Sequence, residues 1–189
     1  MVKYSKLLNL NQAYRLVYPF STILVSSTNG KGKMNVMAAS WHTPLSFDPP
    51  MYGVAIGFTR YTYELIKETQ QFVVNVCPID IYKQVIEAGT ISGRDHDKFK
   101  KIGLEYVSAT KVKPPRVKGC LSYLECVLEK EVPVGDHAFM IGKVVYAEYN
   151  PEFFDNEGYP IVQKIKPLYY GGNSVCCTID NKNLRITDF

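Results

Sequence analysis

Four familiar catalytic signatures are missing from the sequence: G-x-G-x-x-G, a Walker-type phosphate loop, H-E-x-x-H and G-x-S-x-G. Their absence excludes a Rossmann dinucleotide enzyme, a P-loop triphosphatase, a zinc protease and a nucleophile-elbow hydrolase. Histidine is scarce at 3 residues, and the 5 cysteines form neither a C-x-x-C pair nor a cluster with histidine. That spacing speaks against a zinc site and a disulfide framework and for buried free thiols. No run approaches the roughly 20 apolar residues of a membrane span, and no apolar segment follows the opening Met-Val-Lys-Tyr-Ser-Lys. A cytoplasmic protein without membrane contact is expected. The 22 basic and 18 acidic residues are scattered, giving a net charge of +4. They form no basic stripe, so no nucleic-acid partner is expected, and an anionic small molecule fits better.

The chain does contain 14 tyrosines and short β-branched and aromatic runs broken by Gly, Pro and Asn. This predicts a mostly β protein with a few peripheral helices, in one domain over residues 1–189. Ser21–Thr28 and Met34–Ala39 flank Asn29-Gly30-Lys31-Gly32 and should pair as a hairpin. Further strands are expected at Met51–Phe58, Gln71–Cys77, Leu121–Lys130 and His137–Tyr149, the last two joined by a Pro-Val-Gly turn at 133–135. Helices are predicted over Thr62–Thr69, with Thr62 as N-cap, over Asp80–Ala88 and over Arg94–Ile102. Such an order suits an antiparallel barrel with helices packed outside it.

Four segments could carry chemistry. In the first, Asn35-Val-Met-Ala-Ala-Ser-Trp-His-Thr-Pro-Leu-Ser-Phe-Asp-Pro-Pro50, a strand of small residues runs into a polar loop. Ala38, Ala39 and Ser40 would let a flat ring lie against backbone, with Trp41 as a wall and His42, Thr43 and Ser46 as hydrogen-bonding groups. The same residues also suit close strand packing around a core tryptophan. The second, Thr59-Arg60-Tyr61-Thr62, combines hydroxyls, a guanidinium and a helix N-terminus, which together suit a phosphate. Simple capping by Thr62 beside a solvated Arg60 is the competing account. In the third, Ile91-Ser-Gly-Arg-Asp-His-Asp-Lys-Phe99, the two aspartates suit helix capping while Arg94 and Lys98 could meet an anion or a second subunit. In the fourth, Gly135-Asp-His137, the histidine is either structural or borders a pocket.

Taken in order, these segments, with Arg60-Tyr-Thr-Tyr-Glu-Leu-Ile, Gln71-Phe-Val-Val-Asn-Val and Leu168-Tyr-Tyr-Gly-Gly, resemble the flavin-reductase-like, FMN-binding split-barrel family that includes flavoredoxins and archaeal ferric reductases. The resemblance covers about residues 15–175. It implies a Greek-key FMN-binding split β-barrel and a homodimer. The isoalloxazine is then expected along Met37, Ala38, Ala39, Ser40 and Trp41, with ribityl and phosphate reaching Ser46 and Thr59, Arg60, Tyr61 and Thr62. Ser92, Arg94, Lys98 and Phe99 would cover it, and His137 and Tyr169 or Tyr170 would border it.

The implied function is electron transfer through FMN. NAD(P)H is the expected transient donor, His137 faces the nicotinamide or substrate side, and flavin or a ferric chelate is the acceptor. An FMN electron carrier without nicotinamide activity of its own, served by a redox partner protein, shares every binding feature. A pyridoxamine-phosphate-oxidase-like or haem-binding relative is a third possibility, because split barrels host several cofactors.

Overall fold

The computed structural model describes residues 3–180 and 182. The expected single unit over residues 1–189 therefore extends to residues 1, 2, 181 and 183–189, which lie outside the described residues. Twelve strands occur among the described residues: β1 Phe20–Ser21, β2 Ile23–Thr28, β3 Met34–Ala39, β4 His42–Ser46, β5 Met51–Gly57, β6 Gln71–Val76, β7 Tyr106–Val107, β8 Arg116–Val117, β9 Ser122–Val134, β10 His137–Tyr149, β11 Tyr169–Gly172 and β12 Val175–Cys177. Three α-helices accompany them, α1 Tyr61–Thr69, α2 Tyr82–Thr90 and α3 Lys98–Ile102, and a 3₁₀ helix spans Leu10–Val17.

Seven strands form one antiparallel sheet in the order β3-β2-β6-β9-β10-β5-β4. Its two edge strands are consecutive in sequence. Only Ser40 and Trp41 separate β3 from β4, and the three Cα steps from Ala39 to His42 reach at most about 11 Å. The sheet must therefore roll until its edges meet, giving a barrel that is split along one seam. At the start of β4 the Ala55 N–H donates to the Trp41 carbonyl at 2.9 Å, extending the β4–β5 pairing into the link.

The hairpin of β2 and β3 forms as its sequence requires. Asn29 Oδ1 accepts the N–H groups of Lys31 and Lys33 at 3.0 and 2.8 Å. The positive φ falls on Gly32, at 83°, instead of on the Asn-Gly pair. Strands β9 and β10 run 13 residues each and bend through register shifts at Ile141/Gly142 and Val144/Tyr146. Their turn is Gly135-Asp136, with Gly135 at φ 59°, and Pro133 and Val134 belong to the strand.

Period-2 alternation divides the apolar residues between two cores. Ile23 and Val25 of β2 and Ala39 of β3 face the barrel interior with Val54, Ile56, Ile66, Phe72 and Met140. Leu24 and Val36 point outward and pack with Val85 and Ala88 of α2, with Phe99 and Ile102 of α3, and with Leu168. This outer core seats α2 and α3 against β3, beside the seam.

Candidate functional site

A cavity of about 450 Å³ opens at the seam, within the size range of small-molecule sites. Its floor is β3 and the β3–β4 link, contributing Asn35, Met37, Ala38, Ala39, Ser40 and Trp41. Ala55, Ile56 and Gly57 of β5 line the opposite side, followed by Thr59, Arg60, Tyr61 and Thr62. The last turn of α2 and the residues after it, Ala88 to Arg94, form a wall. Lys98 lines the cavity beside that wall, and Tyr18, His137 and Tyr170 border its remaining side.

One end of the cavity is cationic. Arg60 is exposed and makes no ion pair among the described residues. Lys98 is only 3% exposed and has no carboxylate partner. Burial pushes its ammonium down to about 8, and the neighbouring Arg60 charge adds to the shift. Arg94 is tied to Glu64 and donates from Nη1 to the Thr59 carbonyl at 3.1 Å. Tyr61 and Thr62 begin α1, where a helix leaves its N–H groups without intrahelical partners.

Thr62 is not the N-cap expected from sequence. Arg60 takes that position without a side-chain bond, and Thr62, 2% exposed, accepts from Asn35 Nδ2 at 2.9 Å. The other amide hydrogen of Asn35 goes to Ser27 Oγ at 3.0 Å. Asn35 Oδ1 is buried without a partner, covered by Gly93.

The cavity mouth carries rings. Trp41 lies with its centroid 5.0 Å from His137 and 5.5 Å from Tyr14, and Tyr18 lies 5.8 Å from Tyr170. His137 donates from Nδ1 to Asp136 at 2.6 Å, an arrangement that holds the Asp136 carboxyl below its usual range. The other ring nitrogen, Nε2, lies on the side of Gly57. Ser40 Oγ shares a hydrogen bond of 2.9 Å with Thr22 Oγ1.

Of the residues singled out from sequence, the structure gathers Met37, Ala38, Ala39, Ser40, Trp41, Thr59, Arg60, Tyr61, Thr62, Ser92, Arg94, Lys98 and His137 around this cavity. Others lie elsewhere, among them Thr43, exposed on β4. His42 donates from Nε2 to the Ser21 carbonyl at 3.0 Å, leaving Nδ1 to accept the Tyr52 hydroxyl at 2.6 Å. Its burial lowers its proton affinity, and burial pushes the Tyr52 phenol up to about 12. Ser46 is exposed at the end of β4. Phe99 packs in the outer core, 4.9 Å from the Tyr106 ring, because its position in α3 faces away from the cavity. Tyr169 is replaced at the border by Tyr170, since neighbours on a strand point to opposite faces. Asn35, Ala55 and Gly57 were missed. A buried-position asparagine inside an apolar strand was the available signal for the first, whereas the other two depend on the seam.

Among the described residues no helix is long and apolar enough to cross a membrane, and no cluster of metal-binding side chains occurs. Cys77, Cys120 and Cys126 are buried thiols, while Cys176 and Cys177 are half-buried.

Comparison with known proteins agrees with this architecture. A protein of Archaeoglobus fulgidus is 45% identical over 141 residues, covering 75% of this chain and 78% of its own. An FMN-binding protein from Thermus thermophilus, solved with bound 1-cyclohex-2-enone, superposes with a TM-score of 0.85 at 25% identity, covering 98% of this chain and 100% of its own. Flavoredoxin from Methanosarcina acetivorans gives 0.79 at 26% identity, covering 95% and 91%. Residues 14–177 match the flavin reductase like domain, and the chain belongs to that family.

Proposed function

We propose that the seam cavity binds FMN and that the protein transfers electrons through it as an NAD(P)H-dependent flavin or ferric reductase. The observation that carries this proposal is the polarity of the cavity, whose lining holds Arg60, Arg94 and Lys98 and no carboxylate residue while its mouth is walled by rings. A ligand with a flat ring at one end and a dianion at the other matches both halves. The small side chains of Ala38, Ala39 and Gly57 leave backbone accessible beside Trp41. At the other end Arg60, the Thr62 hydroxyl and the first N–H groups of α1 suit a phosphate. When bound, FMN supplies hydride acceptance and one- or two-electron release. The chain supplies binding and electrostatics, and His137, held by Asp136, is the group placed to meet a donor or acceptor at the mouth.

The visible spectrum of the purified protein tests the proposal. A flavin spectrum, or its appearance on adding FMN, is expected; a colourless protein that gains none would overturn it. Turnover with NADH or NADPH and FMN, FAD or ferric acceptors then tests the reductase. The flavoredoxin among the similar structures supports a second reading, an electron carrier. In that case bound flavin stays oxidised with NAD(P)H yet is bleached by dithionite.

A homodimer belongs to the same proposal. Leu10, Leu16 and Val17 of the 3₁₀ helix and Leu45 and Phe47 around the β4–β5 turn are exposed, and a two-fold partner would remove them from water. Sedimentation equilibrium giving twice the chain mass is the expected result.

A further inference from the structure

Lys98 opens α3, where a cation meets the unfavourable end of the helix dipole. It is nevertheless almost fully buried, and its ammonium donates to the carbonyls of Val36 at 2.7 Å and Ala88 at 2.5 Å. Both acceptors need an outside partner. Val36 lies on β3, an edge of the sheet, and Ala88 lies in the last turn of α2, whose carbonyls have no intrahelical donor. One side chain thus joins a strand edge to a helix end.

Two close approaches accompany this bridge. A Cβ added at Gly89 would stand 3.5 Å from Ala38 Cβ, and one at Gly93 would stand 2.1 Å from Asn35 Oδ1. Asn35, Val36 and Ala38 all belong to β3. The stretch from Ala88 to Gly93 is therefore seated on this strand at Gly89 and Gly93 through missing side chains and at Ala88 through Lys98.

We propose that Lys98 is a positioning residue that clasps the last turn of α2 to β3, fixing the Ala88–Gly93 wall of the cavity and acting on the ligand through that wall instead of through a bond to its phosphate. The proposal rests on the cavity taking a flavin. A fixed wall serves every flavin equally, whether or not it carries a phosphate. Arg60, which lines the cavity without a partner, is left as the phosphate's cation.

The test compares Lys98→Met with the unaltered full-length chain in two measurements. Amide hydrogen exchange without ligand is expected to speed up across residues 85–94 in the variant. Titration with FMN and with riboflavin is expected to show both weakened by the same factor, on the order of tenfold for the loss of charge-assisted bonds. Gly89→Val, which crowds Ala38 and leaves the amine in place, should weaken both flavins alike and serves if Lys98→Met does not fold. Unchanged exchange across 85–94, or weakening of FMN alone, would overturn the clasp. If the unaltered chain binds neither flavin, the flavin proposal fails, and the exchange measurement still decides whether Lys98 holds the wall.

Discussion

The Trp41 carbonyl accepts the Ala55 N–H at 2.9 Å, a bond that carries the β4–β5 pairing into the β3–β4 link beside the cavity. Trp41 is also the only tryptophan in the chain, so its emission reports on the mouth alone. Titration of the flavin-free protein with FMN is expected to quench this emission in step with binding, because a planar ring beside Met37–Ser40 would lie against the indole. Quenching absent at saturating FMN would move the ring away from the seam.

Among the described residues Arg60 makes no ion pair, and the Thr62 hydroxyl that accepts from Asn35 is neutral, so the guanidinium is the free charge at the start of α1. Arg60→Ala should weaken FMN about tenfold, the worth of one charge-assisted contact at a partly exposed site. Riboflavin, which lacks the phosphate, should bind as before. Paired affinity measurements check this, and an equal loss for both would place the phosphate elsewhere.

The sequence showed where strands lie better than how they meet. The β2–β3 hairpin, α1 and α2 follow from turn residues and local periodicity, and they appear within a few residues of expectation. Strand β4 was hidden because Pro44 and the following Pro-Pro pair read as loop. Proline is tolerated there because β4 is an edge strand. α3 begins at Lys98 instead of Arg94 because Asp97 accepts the Lys100 N–H and caps it. That shorter helix turns Phe99 into the outer core and Lys98 toward β3. β11 and β12 were not predicted as strands, since β11 pairs only with the two-residue β1 and the three-residue β12 and neither carries much alternation of its own. Residues contiguous with a motif were legible, Tyr170 among them as one of the two tyrosines expected at the border, whereas Ala55 and Gly57 reach the cavity through the closing of the barrel, which no local pattern encodes.

Gly142 marks the bend in β10. A Cβ there would stand 2.5 Å from Phe72 Cζ and 2.8 Å from Cys126 Cβ, both inside the barrel. Gly142→Ala should therefore destabilise the fold by about 1–3 kcal/mol, as overpacking does. Urea unfolding checks this. An unchanged midpoint would show that β10 can straighten without loss.

Glu125 is fully buried and accepts the N–H groups of Thr110 and Lys111 at 2.8 and 2.6 Å, with Arg116 Nε 3.9 Å away. It pins the segment before β8 to the barrel. Glu125→Ala leaves two backbone donors without their acceptor, at a cost of about 3 kcal/mol, while Arg116 keeps its bonds to Glu148 and the Ser108 carbonyl. The midpoint of thermal unfolding should fall accordingly, and hydrogen exchange should rise at residues 109–112. The cavity is walled by other elements, so flavin affinity below the new midpoint should hold.

Lys98 gives stability a pH dependence of defined sign. In the folded chain burial and the Arg60 charge lower its proton affinity to about 8, while unfolding returns it to the ordinary value of 10.5. Between these values the unfolded chain binds more protons, so stability contributed by this group rises with pH. Arg60 on the β5–α1 turn and Arg94 on the α2–α3 loop line the same cavity, and among the described residues no carboxylate pairs with the ammonium. Cys77, Cys126 and Tyr52 act in the opposite direction, because burial raises their proton affinities and unfolding releases those protons. Comparison of ligand-free wild type with Lys98→Met cancels these shared terms. Wild type should gain on the variant as pH climbs from about 8 to about 10, measured by urea midpoints. A constant difference across that range would mean that Lys98 keeps its proton in the folded state.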